Sequence, residues 1–512
     1  TTQPNGSSKI MLPLLRFKSK PYDARMSNDL VQMTAREIRS RLHDRDVSPQ
    51  ELLDALATRI AIVDSLVNAL PTLCFERAAE RVRKQDYSGT RLKGIPVAIK
   101  DLMAVAGVRT TWGSKIYEDH VPPDSDLLVE RLEAHGAIVY AKSNAPEFGA
   151  GANTFNEVFG ITRNPWGTAC SAGGSSGGSA VALATGMAWL ATGSDLGGSL
   201  RTPASFCGVV GFRPTIGRIP SDPGTLAFDR ITVDGPMARN VGDVAMLLDA
   251  MVGRDARDPI SLYDPPDSFE AAADKRTIPT RIAFSKDLGV TPVEPEVATL
   301  CERAADRFAD MGIPVEEAHP DFSGLQHVFQ TLRAVSFATS LGPLLEKFRN
   351  VLKPEIVWNI EKGLALTNEE IFRAMTERSK IYARAVEFFD NYDLLLSPAT
   401  VVPPYPAEQR FVERVGNHEF SNYIEWCSIA YAITIIGAPA LSIPCGFTAS
   451  GLPVGLQIAS QPGSEARLLG AAMLFEDAVG LSAQLPIEPR EGSGDPSMCP
   501  HAEEATPPKK FL

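Results

Sequence analysis

Short apolar runs alternate along this chain with amphipathic stretches, and the borders between them carry recognisable start signals. Thr34 and Ser48 each precede a glutamate by three residues, Glu37 and Glu51. In that capping-box arrangement hydroxyl and carboxylate satisfy orphan backbone N–H groups, and Pro49 suits a first helical position. Two helices are therefore predicted near the start of the fold, the second with Leu52, Leu53, Leu56, Ile60 and Val63 on one side. Five runs then read as strands: GIPVAIKD (94–101), AIVYAKSN (137–144), MAWLATGSD (187–195), RIAFSKDLG (281–289) and DLLLSPAT (393–400). The helix-like DLLVERLEAHG (126–136) and GSAVALATG (178–186) fall between them. Such a β-α-β rhythm predicts an α/β protein with a mostly parallel sheet buried on both faces.

Residues 295–390 read as largely helical and are expected to form a cap beside the sheet. WCSIAYAITIIGAPALSIPC (426–445) carries no charge over a length that could span a bilayer, but Gly437 and Pro439 break it. A helix, a turn and a buried strand explain it better. Residues 1–27 lack amphipathic periodicity and read as a poorly ordered extension; their apolar run at 10–15 is short for an export signal. Residues 486–512, rich in Pro, Gly, Ser and charge, read as a disordered tail. Residues 28–485 remain as one expected domain, with neither export signal nor membrane anchor.

Composition narrows the function classes. A net charge of −12 disfavours a grip on nucleic acid, which needs clustered Lys and Arg. Seven cysteines, odd in number and without a C-x-x-C pair, are expected to be reduced, mostly buried thiols of a cytoplasmic protein. The seven histidines show no metal-like spacing, so no catalytic metal is expected.

The chemistry concentrates in two glycine-wrapped turns, GGSSGG (173–178) and DLGGSLR (195–201). Neither has the lysine of a phosphate-binding P-loop, and neither matches G-x-G-x-x-G. Plain tight turns would account for either alone. Together they place serines where backbone freedom is unusual. If the Ser199 hydroxyl attacks a carbonyl, the oxyanion needs convergent N–H donors, and Leu196, Gly197, Gly198 and Ser199 can supply them. A serine also needs a base. The few histidines announce no triad, whereas Lys100 closes the apolar strand IPVAIK, where burial would leave it a neutral amine. Ser175 could relay the proton between Lys100 and Ser199.

Taken together, these residues resemble the amidase signature family and its Ser-Ser-Lys triad. The lysine stands in GIPVAIKDL, the first serine in GGSSGGSA and the nucleophile in GSDLGGSLRTPA. KSNAPEFG (142–149), FGITRNPW (159–166), FCGVVGFRPTIGRIP (206–220), DGPMARNVGDVA (234–245), LLSPAT (395–400) and GAPALSIPCGFTASGLPVGLQI (437–458) extend the likeness from about residue 28 to about 484. The resemblance implies a large mixed, mostly parallel twisted sheet covered by helices on both faces. It implies Ser199 as nucleophile, Ser175 as bridging serine and Lys100 as base, with no cofactor. Ser176, Asp195 and Arg201 are read as a loop brace, and Gly149, Ala150 and Gly151 as a substrate-lining floor without side-chain donors. Ala172, Ala145 and Thr434 stand where the family commonly has proline, methionine and asparagine.

The expected activity is cofactor-free hydrolysis of C–N bonds in linear amides, with aryl amides, carbamates or esters as extensions. Its partner is then a small-molecule amide or carbamate, with no nucleic acid and no membrane, and the protein a monomer or homodimer. The same signature occurs in the glutamine-amidase subunit of tRNA-dependent amidotransferases, which is the alternative. A non-enzymatic scaffold is disfavoured by the intact Lys100, Ser175 and Ser199.

Overall fold

The computed structural model describes residues 29–490 and Cys499. Both capping boxes form. Thr34 caps helix α1 (Ala35–Asp44) and Ser48 caps helix α2 (Pro49–Val67), whose Leu52, Leu53, Leu56, Ile60 and Val63 are buried as the spacing predicts.

One sheet of 11 strands organises the molecule. In chain order the strands are β1 (Thr72–Leu73), β2 (Pro96–Lys100), β3 (Ile138–Ser143), β4 (Leu190–Asp195), β5 (Val210–Arg213) and β6 (Val233–Ala238). They continue with β7 (Ile282–Phe284), β8 (Val315–Glu317), β9 (Leu394–Pro398), β10 (Ala440–Phe447) and β11 (Pro453–Ala459). Across the sheet the order is β1-β3-β2-β4-β6-β5-β10-β11-β9-β7-β8. The large mixed sheet is as expected; the predominance of parallel neighbours is not. Only β2–β3, β2–β4, β7–β8 and β7–β9 pair in parallel, and the remaining neighbours run antiparallel. The reason is connection length. Residues 448–452 between β10 and β11 can make only a hairpin, because a parallel return needs a crossover of a dozen residues or more.

The site is positioned by the parallel trio β3-β2-β4. Lys100 at the end of β2 pairs with Ser143 at the end of β3, and β4 ends on Asp195 along the other side of β2. Carboxyl ends of adjacent parallel strands are where open α/β sheets place ligands. Helix α3 (Gly177–Ala184) is buried at every residue, which its small and apolar composition permits. Gly178 is needed there for close approach: a Cβ would lie 2.3 Å from the Asn144 backbone nitrogen. Helix α4 (Arg201–Cys207) follows the second glycine turn, and α5 (Val241–Met251) is likewise wholly buried.

Of residues 295–390, expected as a helical cap, Pro295–Asp310 is a helix packed on the sheet and Val315–Glu317 is its strand β8, so only the remainder, α6 (Leu325–Phe348), α7 (Pro354–Leu364) and α8 (Asn368–Phe389), is purely helical. The uncharged run at 426–445 resolves into α9 (Ser428–Ile435), a turn and buried β10, as the Gly-Pro break predicts. Among the described residues no helix is long and apolar enough to cross a membrane.

Two expectations about the C-terminal end and the thiols need correction. Residues 486–490 lie along the body: Ile487 N–H donates to the Ala184 carbonyl (2.9 Å), Arg490 N–H to that of Pro165 (2.9 Å), and Glu488 pairs with Arg59 (2.6 Å). Cys170 and Cys499 form a disulfide across a sequence separation of 329, so the thiols are not all reduced. The extension at 1–27 and the tail beyond 490, apart from Cys499, lie outside the described residues.

A cross-link over so long a loop restricts the unfolded chain, and its loss typically costs about 2–4 kcal/mol. Cys499→Ser is expected to lower the urea midpoint by a corresponding amount, and thiol titration of the denatured, unreduced parent should count five thiols. An unchanged midpoint with seven reactive thiols in the parent would show that the bridge does not form.

Candidate active site

Lys100 leaves the end of β2 with its side chain wholly out of solvent. Its Nζ lies 2.7 Å from Ser175 Oγ, 2.8 Å from Ser176 Oγ and 2.9 Å from Ser194 Oγ. No carboxylate forms an ion pair with it among the described residues. Burial therefore dominates and pushes the amine down to about 7, against the pull of Asp234 and Asp195 in the other direction. Asp234 stands on β6 opposite Ser194. Its own carboxyl is driven up to about 7, first by burial and then by Asp126. Near neutral pH both groups therefore populate their charged and neutral forms together.

A neutral amine has two N–H donors and one lone pair, so among three hydroxyl neighbours one must donate to the nitrogen. The Ser176 hydroxyl has another acceptor, the Ser194 carbonyl at 3.4 Å, and its oxygen also accepts from Ser194 N–H at 3.3 Å. Neither Ser175 nor Ser194 has a second acceptor for its hydroxyl among the described residues, and of the two Ser175 lies nearer the amine, at 2.7 Å against 2.9 Å. Ser176 thus braces the turn as expected and also touches the lysine.

Lys142, equally buried, shows the contrast. It lies 3.2 Å from Asp101 and donates to Thr110 Oγ1 at 2.9 Å and to the Met103 carbonyl at 2.5 Å. Asp101, pointing away from Lys100, also accepts from the Thr111 hydroxyl at 2.6 Å. One buried lysine is paired and the other is not.

The second turn is built around Asp195. Its Oδ1 accepts from Gly198 N–H (3.0 Å) and Arg201 Nη2 (2.8 Å), and its Oδ2 from Leu200 N–H (3.1 Å) and Arg201 Nε (3.0 Å). Arg213 adds a contact to Oδ1 at 3.3 Å, and all three side chains are fully buried. Burial alone would raise the Asp195 carboxyl, but Arg201 and then Arg213 hold it well below the usual carboxylate range. Arg201 also donates to the Ala430 carbonyl (2.7 Å) and Gln457 Oε1 (2.6 Å), locking the turn to α9 and β11.

This arrangement refines the expected oxyanion donors. Gly198 N–H is spent on Asp195, so it is removed from the set, whereas Leu196, Gly197 and Ser199 N–H donate to no acceptor among the described residues. Gly198 instead turns the chain, with φ +108° and no room for a Cβ, which would lie 2.7 Å from the Ala430 side chain. Ser199 is partly exposed, and its carbonyl accepts from Ser176 N–H at 3.2 Å, which joins the two turns.

Of the three residues read as a floor, Gly149 borders this cluster, while Ala150 and Gly151 meet Lys353. A Cβ on Gly149 would lie 3.6 Å from Ser175 Oγ, the Ala150 carbonyl accepts from Lys353 Nζ at 3.0 Å, and that nitrogen is 3.5 Å from where a Gly151 Cβ would be. The Phe329 ring edge lies 3.3 Å from where a Cβ on Gly197 would be, and the ring stacks on Tyr431 with centroids 3.7 Å apart. Sequence reasoning missed Ser194, Asp234, Arg213, Phe329 and Lys353. Ser194 alone had a local signal, standing next to Asp195 at a strand end.

A buried amine thus lies among three serine hydroxyls, beside a glycine turn whose N–H groups at 196, 197 and 199 meet no acceptor among the described residues. In fold, the chain superposes on a bacterial aryl acylamidase of the amidase signature family with a TM-score of 0.82 and 26% identity, covering 89% of this chain and 99% of that one. In sequence it is 33% identical over 455 residues to an acylamidase of Rhodococcus erythropolis, covering 87% of this chain and 95% of the relative. It is also 34% identical over 486 residues to a glutamyl-tRNA(Gln) amidotransferase subunit of Moorella thermoacetica, covering 88% and 97%. The Amidase family model matches residues 51–469. The chain belongs to the amidase family.

Removing the Asp195 charge strands two buried guanidinium groups, and breaking such a set costs about 3–5 kcal/mol. Asp195→Asn is expected to lower unfolding free energy by that amount in urea at neutral pH. Because the folded carboxyl is depressed, its contribution exists above the ordinary carboxylate range and fades as pH falls through its lowered value, so the two proteins should converge in acid. Equal stabilities at neutral pH would contradict this role for the carboxylate.

Proposed function

We propose that the protein is a cofactor-free serine hydrolase of C–N bonds in linear amides, acting through an acyl-enzyme on Ser199. The observation that carries this reading is Lys100: an amine wholly buried, at about 7, within 2.7 Å of the Ser175 hydroxyl. Neutral Lys100 accepts the Ser175 proton, Ser175 takes that of Ser199, and Ser199 Oγ attacks the substrate carbonyl. The developing oxyanion is received by the N–H groups of Leu196, Gly197 and Ser199, a reading supported by their lack of an acceptor among the described residues. Collapse expels the amine, which leaves with the proton returned through Ser175. Water then enters, gives its proton along the same relay and clears the acyl group.

Aryl amides, carbamates and esters share the carbonyl geometry this site would take. Phe329 over Gly197 and the side-chain-poor floor at Gly149, Ala150 and Gly151 favour apolar or aromatic groups beside the scissile bond. The relative from Moorella thermoacetica keeps a second reading alive, a glutamine-amidase subunit. Free glutamine separates the two.

The test is release from an aryl anilide, an aryl carbamate, a fatty amide and glutamine by the parent and by Ser199→Ala. Turnover of the anilide, carbamate or fatty amide that falls at least about a thousandfold in the variant is expected. Ammonia from glutamine alone would support the subunit reading, and undiminished turnover by Ser199→Ala would refute the mechanism.

A further inference from the structure

Cys74, Cys207, Cys301, Cys427 and Cys445 are free thiols. Among the described residues only Cys301 and Cys445 bring their sulfurs together, at 4.0 Å. A sulfur–sulfur bond is about 2.05 Å long, so this pair stands about 2 Å short of closing. Whether it can close depends on what holds each sulfur and on which of them a reagent meets.

Cys301 lies in the helix Pro295–Asp310 and is wholly buried, whereas Cys445 in β10 is only half-buried. Consecutive carbonyls of β11 hold the two: Cys445 Sγ donates to that of Val454 at 3.3 Å, and Cys301 Sγ to that of Gly455 at 3.7 Å. The helix is seated on the same hairpin by other contacts. Ala449 N–H donates to Glu296 Oε1 at 2.7 Å, and the Leu300 side chain lies 3.1 Å from where a Cβ on Gly446 would be. Helix and hairpin are therefore already in register at 296, 300 and 301 without any sulfur–sulfur bond.

The backbone at Cys445 supplies an independent observation. Pro444 pairs with Gly455 and Gly446 with Val454, which leaves Cys445 as the extra residue of a β-bulge. An extra residue has no partner of its own in the ladder, so a small shift there breaks no strand pair. The half-buried thiol thus sits on the part of β10 that is freest to move toward the helix.

We propose that Cys301 and Cys445 form a dithiol modification site, which a hydroperoxide closes into a second disulfide that locks the helix Pro295–Asp310 onto β10. The assignment does not rest on the hydrolase reading of the Lys100 site. Cys445 meets the oxidant first: its sulfur attacks the peroxide, the O–O bond breaks, a sulfenic acid forms, and water leaves with the thiol proton. Cys301 then attacks the Cys445 sulfur, the S–O bond breaks as the S–S bond forms, and the departing hydroxide takes the Cys301 proton as a second water. One peroxide gains the two electrons that the two thiols lose. Burial pushes the Cys301 thiol well above its ordinary value, which keeps it protonated and out of the first step.

The test treats the parent with a small excess of hydrogen peroxide, alkylates the remaining thiols in denaturant and maps the peptides without reduction. A peptide joining Cys301 to Cys445 is expected, with the thiol count of the denatured protein falling from five to three as the pair is consumed. In Cys301→Ser the Cys445 sulfenic acid has no thiol to close on, so its capture by dimedone should exceed that in the parent at least about tenfold. The oxidised parent should also unfold at a higher urea midpoint than the untreated one, a rise absent from Cys445→Ala. Should Cys301→Ser fail to fold, the peptide map of the parent and Cys445→Ala decide. A count that stays at five, Cys445 carried on to sulfinic acid beside a free Cys301, or a link to any other cysteine overturns the assignment.

Discussion

The structure turns on one buried amine. Lys100 sits at the end of a central strand with three serine hydroxyls around its nitrogen and, among the described residues, no carboxylate paired to it. Water removal makes the charged form expensive, so the amine is brought into the range where it can exchange a proton near neutrality. Everything nearby serves that condition. Parallel strands β2, β3 and β4 bring Lys100, Ser143 and Asp195 to one rim, and Gly178 lets α3 close over it. The hydroxyl-bearing turn could not otherwise reach the lysine.

Asp195 does the opposite work a few residues away. Where Lys100 is kept near neutrality by lack of a partner, Asp195 is kept ionised by Arg201 and Arg213. That ion cluster takes no part in the proposed proton relay; it holds the turn that carries Ser199. It takes up the N–H groups of Gly198 and Leu200, while those of Leu196, Gly197 and Ser199 meet no acceptor among the described residues. Two glycine turns thus have different physical jobs, one donating hydroxyls to an amine and the other presenting amide hydrogens.

Local chemistry made much of this legible before any coordinates. Capping boxes at Thr34 and Ser48, the strand ending in Lys100 and the helix-turn-strand in the uncharged run are each written within a few residues. What escaped depends on distant pairing. Ser194 and Asp234 become neighbours of Lys100 only because β4 and β6 pair in one register. Cys301 and Cys445 are 144 positions apart, and Cys170 meets Cys499 across 329, with no spacing to betray either. Alternating elements suggest crossovers and so parallel neighbours, whereas β10 and β11 are joined by a hairpin. The Gly198 N–H was assigned as a donor because letters in a glycine turn do not show which amide an adjacent carboxylate will take.

The most direct test of the role of Lys100 is the pH dependence of kcat/KM for an aryl amide between about pH 5 and 9, measured on the parent and on the residual activity of Lys100→Ala. Because the neutral amine is the proposed base, activity should rise with pH through a single ionisation near about 7 and that ionisation should vanish in the variant. A flat profile in the parent, or the same ionisation persisting without Lys100, would contradict that role.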